Sequence, residues 1–150
     1  MITAVGNAKK GTFAEILGAD IVVNYKDENI IKIVKEFTGQ RGVDVVVEHV
    51  GTKTWETSLR ILGKGGRIVT CGATTGAEAK FDIRRLFYKQ QSILGSTMGN
   101  VKSLDSALEM YRKGNIKPVI GKCFKMSEIR NAHTYLENGN QNGKVIVIPN

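Results

Sequence analysis

The stretch Lys89-Gln-Gln-Ser-Ile-Leu-Gly-Ser-Thr-Met-Gly99 is a short apolar run followed at once by glycine and small polar residues. The same order, a strand-like run and then a glycine-containing turn, occurs in Val43-Asp-Val-Val-Val-Glu-His-Val-Gly51 and in Gly65-Gly-Arg-Ile-Val-Thr-Cys-Gly-Ala-Thr-Thr-Gly76. The run at 43–50 is nearly continuous in apolar residues, which is typical of a parallel strand covered on both faces. The three stretches therefore predict neighbouring parallel strands that each end in a small-residue turn.

Strand-like and helical patterns alternate along the whole chain, and this rhythm predicts right-handed crossovers and a mostly parallel sheet. Strands are predicted at Ile2–Val5, Ile21–Tyr25, Val43–Val50, Arg67–Cys71, Ser92–Thr97, Val119–Ile120, Lys122–Lys125 and Lys144–Ile148. Helices are predicted at Ala8–Leu17, Asp27–Phe37, Trp55–Leu62, Arg84–Tyr88, Leu104–Tyr111 and Ser127–Leu136. The predicted fold class is therefore α/β and doubly wound, in one domain over residues 1–150.

The first two helices are expected to bury one apolar face each. The residues predicted to face inward are Phe13, Ile16 and Leu17, then Ile30, Ile31, Val34 and Phe37. Acidic residues from Asp27 onward are predicted to form the first turn of the second helix, where they suit the helix dipole.

The composition limits the classes of partner that the chain is expected to bind. Of 150 residues 22 are basic and 14 acidic, a formal net charge of +8. The lysines are scattered among glutamates, as in Asp27-Glu-Asn-Ile-Ile-Lys-Ile-Val-Lys-Glu36, and aromatic residues are not interleaved with them as a nucleic-acid stacking surface requires. We therefore expect a solvated basic surface and no nucleic-acid partner, with attraction to nucleic acid or to a phosphorylated ligand as a minor alternative.

No run approaches the roughly 20 apolar residues of a membrane span, and residues 1–6 lack the features of a secretory signal. A cytoplasmic protein without membrane contact is therefore expected. Cys71 and Cys123 lie far apart in apolar, strand-like settings, so they are predicted to be reduced, buried thiols.

Read with Ala132-His-Thr-Tyr-Leu-Glu-Asn-Gly139 and Gly143-Lys-Val-Ile-Val147, the opening stretches resemble the later cofactor-domain strands of the medium-chain dehydrogenase/reductase superfamily. That superfamily includes zinc alcohol dehydrogenases and quinone oxidoreductases, and the resemblance runs from Ile2 to Pro149. It implies a Rossmann-like, incomplete nucleotide-binding domain with the family's C-terminal helix and strand. The chain opens at what resembles the second strand, and no Gly-x-Gly-x-x-Gly stands between a strand and a helix. The first strand and the glycine-rich loop are therefore expected to be lacking.

The resemblance also implies where a nicotinamide cofactor binds, because the ligand of such a sheet lies beyond the carboxyl ends of its strands. Lysines, and no carboxylate before Glu15, follow the first strand, which favours the 2′-phosphate of NADP over the bare ribose of NAD. The alternative is that Lys9 and Lys10 are merely solvated. The implied contacts to NADP (or NAD) are Gly6, Asn7, Lys10, Tyr25, His49, Val50, Gly72, Ala73, Thr74, Ser96, Thr97, Met98 and Lys144. Without the glycine-rich loop, binding by the isolated chain is expected to be weak or absent.

No catalytic residue and no metal site is expected in this chain. His49 is predicted to contact a cofactor ribose, and His133 to be packed on a helix face with Ile129 and Leu136. Neither histidine is at metal-ligand spacing from a cysteine. In the family the zinc ligands and the substrate pocket belong to sequence that precedes this portion.

Three functions are compatible with these observations. The chain is expected to be the C-terminal cofactor-domain part of an NAD(P)-dependent alcohol dehydrogenase- or quinone reductase-like oxidoreductase, inactive alone. The alternative is a non-catalytic assembly or interaction module that keeps the family's dimer surface. Another doubly wound enzyme, such as a methyltransferase, is disfavoured because an early glycine-rich ligand loop is missing.

Two consequences for assembly follow from the resemblance. The strand at Ser92–Thr97 is expected to be a sheet edge that pairs with its copy in a homodimer, and a missing N-terminal half is a possible second partner. The lacking first strand would lie between Ile2–Val5 and Val43–Val50. We therefore expect these two strands to pair directly, or else another chain to cover the gap, because unpaired buried backbone groups are costly.

Overall fold

Strands and helices alternate along residues 1–139 and 141–149, which are the residues that the computed structural model describes. The strands are β1 (Ile2–Val5), β2 (Ile21–Asn24), β3 (Val43–Glu48), β4 (Leu62–Thr70), β5 (Ser92–Gly95), β6 (Ile120–Lys125) and β7 (Lys144–Ile148). The helices are α1 (Ala8–Ile16), α2 (Ile30–Phe37), α3 (Trp55–Ile61), α4 (Ile83–Tyr88), α5 (Val101–Arg112) and α6 (Ile129–Glu137), with a 3₁₀ turn at Met126–Glu128. Every strand pairing among these residues is parallel, so the predicted α/β class is confirmed.

Short polar side chains decide where the helices begin. The Asn7 Oδ1 accepts the Lys10 N–H at 2.9 Å to start α1, and the Asn29 Oδ1 accepts the Ile31 and Lys32 N–H groups at 3.1 Å to start α2. The prediction that α2 begins at Asp27 is therefore wrong. Its acidic residues lie in the preceding turn, where the Glu28 carboxylate accepts the Asn24 N–H at 2.6 Å.

The described strands form three separate sheets rather than one. Their orders are β1-β2, β3-β4-β5 and β6-β7. The expected direct pairing of Ile2–Val5 with Val43–Val50 is therefore wrong. The β1–β2 pair connects to the central sheet through α2, which contacts both β2 and α3. The Val34 side chain of α2 is almost fully buried, so helix packing joins the two sheets where strand pairing was expected. Cover of the gap by another chain stays a prediction.

Two compact units make up the chain, residues Met1–Met98 and Gly99–Asn150. The first contains β1 to β5 and the second β6 and β7. The main apolar cluster lies in the first unit, where Leu59, Leu62 and Ile68 pack with the half-buried Val46 and Trp55. Whether the 150 residues act as one domain stays a prediction.

Several side chains predicted to be buried are exposed. On β3, Val45 and Val47 are 50% and 71% exposed, because only the face that bears Val46 packs on the apolar cluster. Ile16, Leu17 and Phe37 are exposed because a two-stranded sheet is too narrow to cover the helices beside it.

The two cysteines and His133 are also exposed, contrary to prediction. Cys71 lies in the turn beyond the end of β4, and Cys123 lies on the narrow β6–β7 sheet, where alternate side chains point outward. His133 follows Ala132, which is the buried residue of α6. No helix in the part of the chain that is described is long and apolar enough to cross a membrane.

Candidate functional site

The turns that follow β3 and β4 are hydrogen-bonded to each other. The Thr74 N–H and hydroxyl both donate to the His49 carbonyl, at 3.4 and 3.1 Å. The Thr75 N–H and hydroxyl both donate to the Val50 carbonyl, at 2.7 and 2.8 Å. The two turns thus form one continuous surface at the carboxyl ends of neighbouring strands, and we call it the paired turns (residues 49–51 and 72–76).

Two glycines allow this close approach. Gly51 has φ +90°, and a Cβ there would overlap the Gly76 carbonyl oxygen and lie 3.0 Å from the Ala73 Cα. A Cβ on Gly72 would lie 2.9 Å from the His49 carbonyl oxygen. Because these neighbours are backbone atoms that cannot rotate away, the paired turns require glycine at both positions.

A buried carboxylate holds the first of the paired turns. Glu48, the last residue of β3, is 3% exposed. Its carboxylate accepts the Val50 and Gly51 N–H groups at 2.7 and 3.2 Å. It also accepts the hydroxyl of Thr54, which immediately precedes α3, at 2.9 Å and the hydroxyl of Ser58, within α3, at 2.5 Å. One side chain therefore connects strand, turn and helix.

The charge of Glu48 is stabilised where it lies. Burial alone would raise the pKa of this carboxyl group, but the hydrogen bonds from Ser58, Val50, Gly51 and Thr54 outweigh it and lower the pKa below its ordinary value. The group is therefore an acceptor at neutral pH and has no spare proton to donate. This suits positioning rather than general acid catalysis.

The turn after β1 lies against the residue that follows β2. Gly6 is covered by the Tyr25 ring, because a Cβ on Gly6 would lie 2.6 Å from the Tyr25 Oη. The Tyr25 N–H donates to the Val5 carbonyl at 3.1 Å, while Asn7 caps α1 through the Lys10 N–H. The structure therefore brings Tyr25 against the turn at Gly6, and the half-buried Lys10 follows in the first turn of α1.

The structure places the remaining predicted site residues in the loop after β5 and at the start of β7. The Ser96 N–H donates to the Thr70 carbonyl at 2.8 Å, which places the loop after β5 beside the end of β4. Thr97 and Met98 are exposed, Met98 almost completely. Lys144 is the exposed first residue of β7 in the second unit.

Few of the described residues at this site could act as an acid, a base or a metal ligand. His49 contributes its carbonyl group to the paired turns and is exposed. Among residues 1–139 and 141–149, no three His, Cys, Asp or Glu side chains cluster in a way that could hold a metal ion. The arrangement offers small, exposed backbone turns that a flat ligand can approach closely.

Sequence reasoning missed the residues that support the site. These are Glu48, Thr54, Ser58 and Thr75, whose side chains make the hydrogen bonds described above. One signal was available, since Glu48 is an acidic residue within an apolar run, followed by hydroxyl residues four positions apart.

Comparisons with known proteins agree with this geometry. The sequence profile of the zinc-binding dehydrogenase family matches residues 1–113. Quinone oxidoreductase-like protein 2 from Bos taurus is 31% identical over 98% of this chain and 45% of that protein.

Solved structures show the same fold. A crystal structure of an NAD-dependent alcohol dehydrogenase superposes with a TM-score of 0.87 and 36% identity, over 97% of this chain and 43% of that one. The 2-octenoyl-CoA carboxylase reductase CinF, solved with NADP and 2-octenoyl-CoA, gives a TM-score of 0.90 and 27% identity, over 99% and 37%. The chain spans less than half the length of these relatives. It belongs to the zinc-binding dehydrogenase family of the medium-chain dehydrogenase/reductase superfamily, and it corresponds to the C-terminal cofactor-domain part of NAD(P)-dependent alcohol dehydrogenase- and quinone oxidoreductase-like enzymes.

Proposed function

We propose that this chain binds a nicotinamide cofactor, NADP(H) in preference to NAD(H), as part of a hydride-transferring oxidoreductase. The observation that carries the proposal is the pair of joined turns at the ends of β3 and β4, whose exposed small residues let a ligand approach the backbone. The relatives support a nicotinamide cofactor of either kind, since one is NAD-dependent and another is solved with NADP.

The preference for NADP(H) rests on the turn after β1. Tyr25 lies against Gly6 there, Lys10 follows in the first turn of α1, and no carboxylate occurs between Gly6 and Lys10 to bind the adenosine ribose. An ammonium group offers a point charge to a 2′-phosphate. Thr97, Met98 and Lys144 are kept as proposed cofactor contacts on the resemblance alone.

The cofactor, when bound, would carry the hydride, and this chain would bind and orient it. Glu48 would hold the ribose-side turn, and Gly72 and Ala73 would admit the nicotinamide side. The substrate-binding part of the enzyme would be supplied by sequence outside these 150 residues. Residual cofactor binding by the chain alone would be weak, and a cytoplasmic location is part of the proposal.

Calorimetric titration of the purified chain with NADPH and with NADH tests the proposal. We expect weak binding that is tighter for NADPH. Lys10→Gln should weaken NADPH binding about tenfold, roughly 1.4 kcal/mol, and leave NADH binding unchanged. Lys102→Gln, an exposed lysine on α5, serves as the matched control. Tighter binding of NADH would overturn the preference.

A non-catalytic assembly module is the second candidate, and the free edge of β5 favours it. Within residues 1–139 and 141–149, β5 pairs with β4 alone. Failure of either nicotinamide cofactor to bind, together with a stable dimer, would favour this candidate over the first.

A further inference from the structure

Five basic side chains surround a cavity of about 220 Å³ at the amino-terminal ends of β3 and β4. They are Lys35, Arg41, Arg60, Arg85 and Lys89, and no acidic residue in the described part of the chain lines the cavity with them. These residues come from α2, α3, α4 and the segments that join them to the strands. Positions far apart in sequence therefore converge on one basic cavity.

The positive charge of this cavity is only partly balanced. Arg41 is paired with Asp44, and the Arg60 guanidinium lies 3.7 Å from the Glu56 carboxylate. No carboxylate among the described residues lies within 4.0 Å of Lys35, Arg85 or Lys89. Three cations therefore line this cavity without a counter-ion from the described residues.

Two further observations describe the surroundings of Arg85 and Lys89. The Arg85 Nε is buried and has no hydrogen-bond partner, although the same side chain donates through Nη2 to the Arg60 carbonyl at 3.1 Å. Such orphaned donors are rare in native proteins and call for a partner. Burial, with the neighbouring Arg85 and Lys35 charges, also lowers the pKa of Lys89. An anion in the cavity would offset the positive charges that surround Lys89.

The basic cavity is separate from the cofactor turns. Gly42 and Leu62, which line it, stand immediately before β3 and at the start of β4, whereas the paired turns follow the other ends of these strands. A second, more open cavity of about 350 Å³ adjoins it and shares Lys35 and Arg60. That neighbour also contains Glu36, which lies 3.9 Å from Lys32.

We propose that the basic cavity is a binding site for a small phosphate-bearing anion. Guanidinium groups match phosphate oxygens in pairs, and ammonium groups add point charges. The volume of about 220 Å³ is below the roughly 300–1,000 Å³ of pockets that enclose drug-sized ligands, so a phosphate or diphosphate group fits better than a whole nucleotide. The basic residues of this cavity contribute to the net charge of +8, and none of them belongs to the paired turns.

Thermal unfolding of the chain with inorganic phosphate, with pyrophosphate and with sodium chloride at equal ionic strength tests the proposal. We expect phosphate, and more strongly pyrophosphate, to raise the unfolding midpoint by several degrees beyond chloride. The double substitution Lys35→Gln with Lys89→Gln should abolish this rise. The same double variant should be at least as stable as the parent protein in chloride alone, because it relieves like-charge repulsion.

Matched control variants distinguish anion binding at the basic cavity from a nonspecific effect of positive charge. Lys102→Gln with Lys117→Gln removes two exposed positive charges elsewhere and should keep the full response to pyrophosphate. Lys10→Gln should keep most of it as well, which distinguishes this site from the proposed 2′-phosphate site. An equal response to chloride and pyrophosphate, or an equal loss in both double variants, would overturn the proposal. So would a loss of stability of the Lys35/Lys89 variant in chloride, since the lysines would then be structural.

Discussion

At the scale of single residues, Glu48 has the widest influence on the candidate site. Its buried carboxylate accepts hydrogen bonds from two backbone N–H groups of the turn and from the hydroxyl groups of Thr54, before α3, and Ser58, within α3. Hydrogen bonds to a charged acceptor are about twice as strong as neutral ones, and a donor left unpaired in the interior costs roughly 1–3 kcal/mol. The shape of the turn at residues 49–51 therefore depends on a single ionised group.

Replacing Glu48 with glutamine should destabilise the chain by about 2–3 kcal/mol at pH 7, because an amide N–H₂ would face groups that donate. The folded-state pKa of Glu48 is lowered, so its contribution is fully present above the ordinary pKa and is lost as pH falls through the lowered value. The cost of the substitution should therefore shrink toward pH 3. Urea unfolding of both proteins at several pH values measures it.

Glu56→Gln is the matched control for this experiment. Glu56 is an exposed acid on the same helix that lies 3.7 Å from Arg60, so its loss should cost under about 0.5 kcal/mol. An equal cost at pH 7 and pH 3 for Glu48→Gln would contradict the role of its charge.

Gly51 shows how a missing side chain shapes the site. Gly51→Ala should destabilise the chain by about 2–4 kcal/mol and weaken cofactor binding, because strain at positive φ adds to overlap with the Gly76 carbonyl group. Gly18→Ala isolates the overlap, since Gly18 has φ +94° and nothing within 4 Å of an added Cβ. Chemical denaturation and NADPH titration measure the two effects, and equal losses at both sites would show that overlap is unimportant.

At the scale of elements, free strand edges are the main feature. Among the residues described, β5 pairs only with β4, β3 only with β4, and β1 only with β2. An unpaired edge with apolar side chains invites pairing with another chain. On β5, Leu94 is 45% exposed and Ile93 is half-buried.

We expect the chain to form a two-fold dimer through the β5 edge. Leu94→Lys should weaken dimerisation at least tenfold, because a charge at an edge opposes pairing. Leu108→Lys, which alters a similarly exposed leucine on α5, should leave the dimer intact. Light scattering at a protein concentration of tens of micromolar measures the molar mass of the parent protein and of both variants. A strictly monomeric parent protein would refute the expectation.

At the scale of the whole molecule, the carboxylate beside the paired turns, Glu48, is buried and ionised, and no three side chains among the described residues cluster to hold a metal ion. We expect the purified chain to show no turnover of alcohols or quinones with NADPH or NADH. A full-length quinone oxidoreductase provides the positive control for the assay. Robust turnover that disappears on substitution of a residue within this chain would refute the expectation.

The sequence by itself determined the order of the elements and the location of the paired turns. Alternating valine runs and glycines specify strand and turn locally, and parallel strands necessarily bring their carboxyl ends to one edge. His49, Val50, Gly72, Ala73 and Thr74 could therefore be predicted to lie together, and they do. Family membership followed from the same stretches.

Only the tertiary structure decided which side chains are buried, which residues support the paired turns and which charged side chains lie close together. Val47 and Cys71 were expected inside but are exposed, because burial depends on how many strands join a sheet and not on the local pattern. The convergence of Lys35, Arg85 and Lys89 is likewise invisible in sequence. For the four donors around Glu48, the sequence shows only an acidic residue in an apolar run and two hydroxyl residues four positions apart. Each arises from segments that are brought together only when helices pack on strands, and the energies that hold them depend on distance and burial.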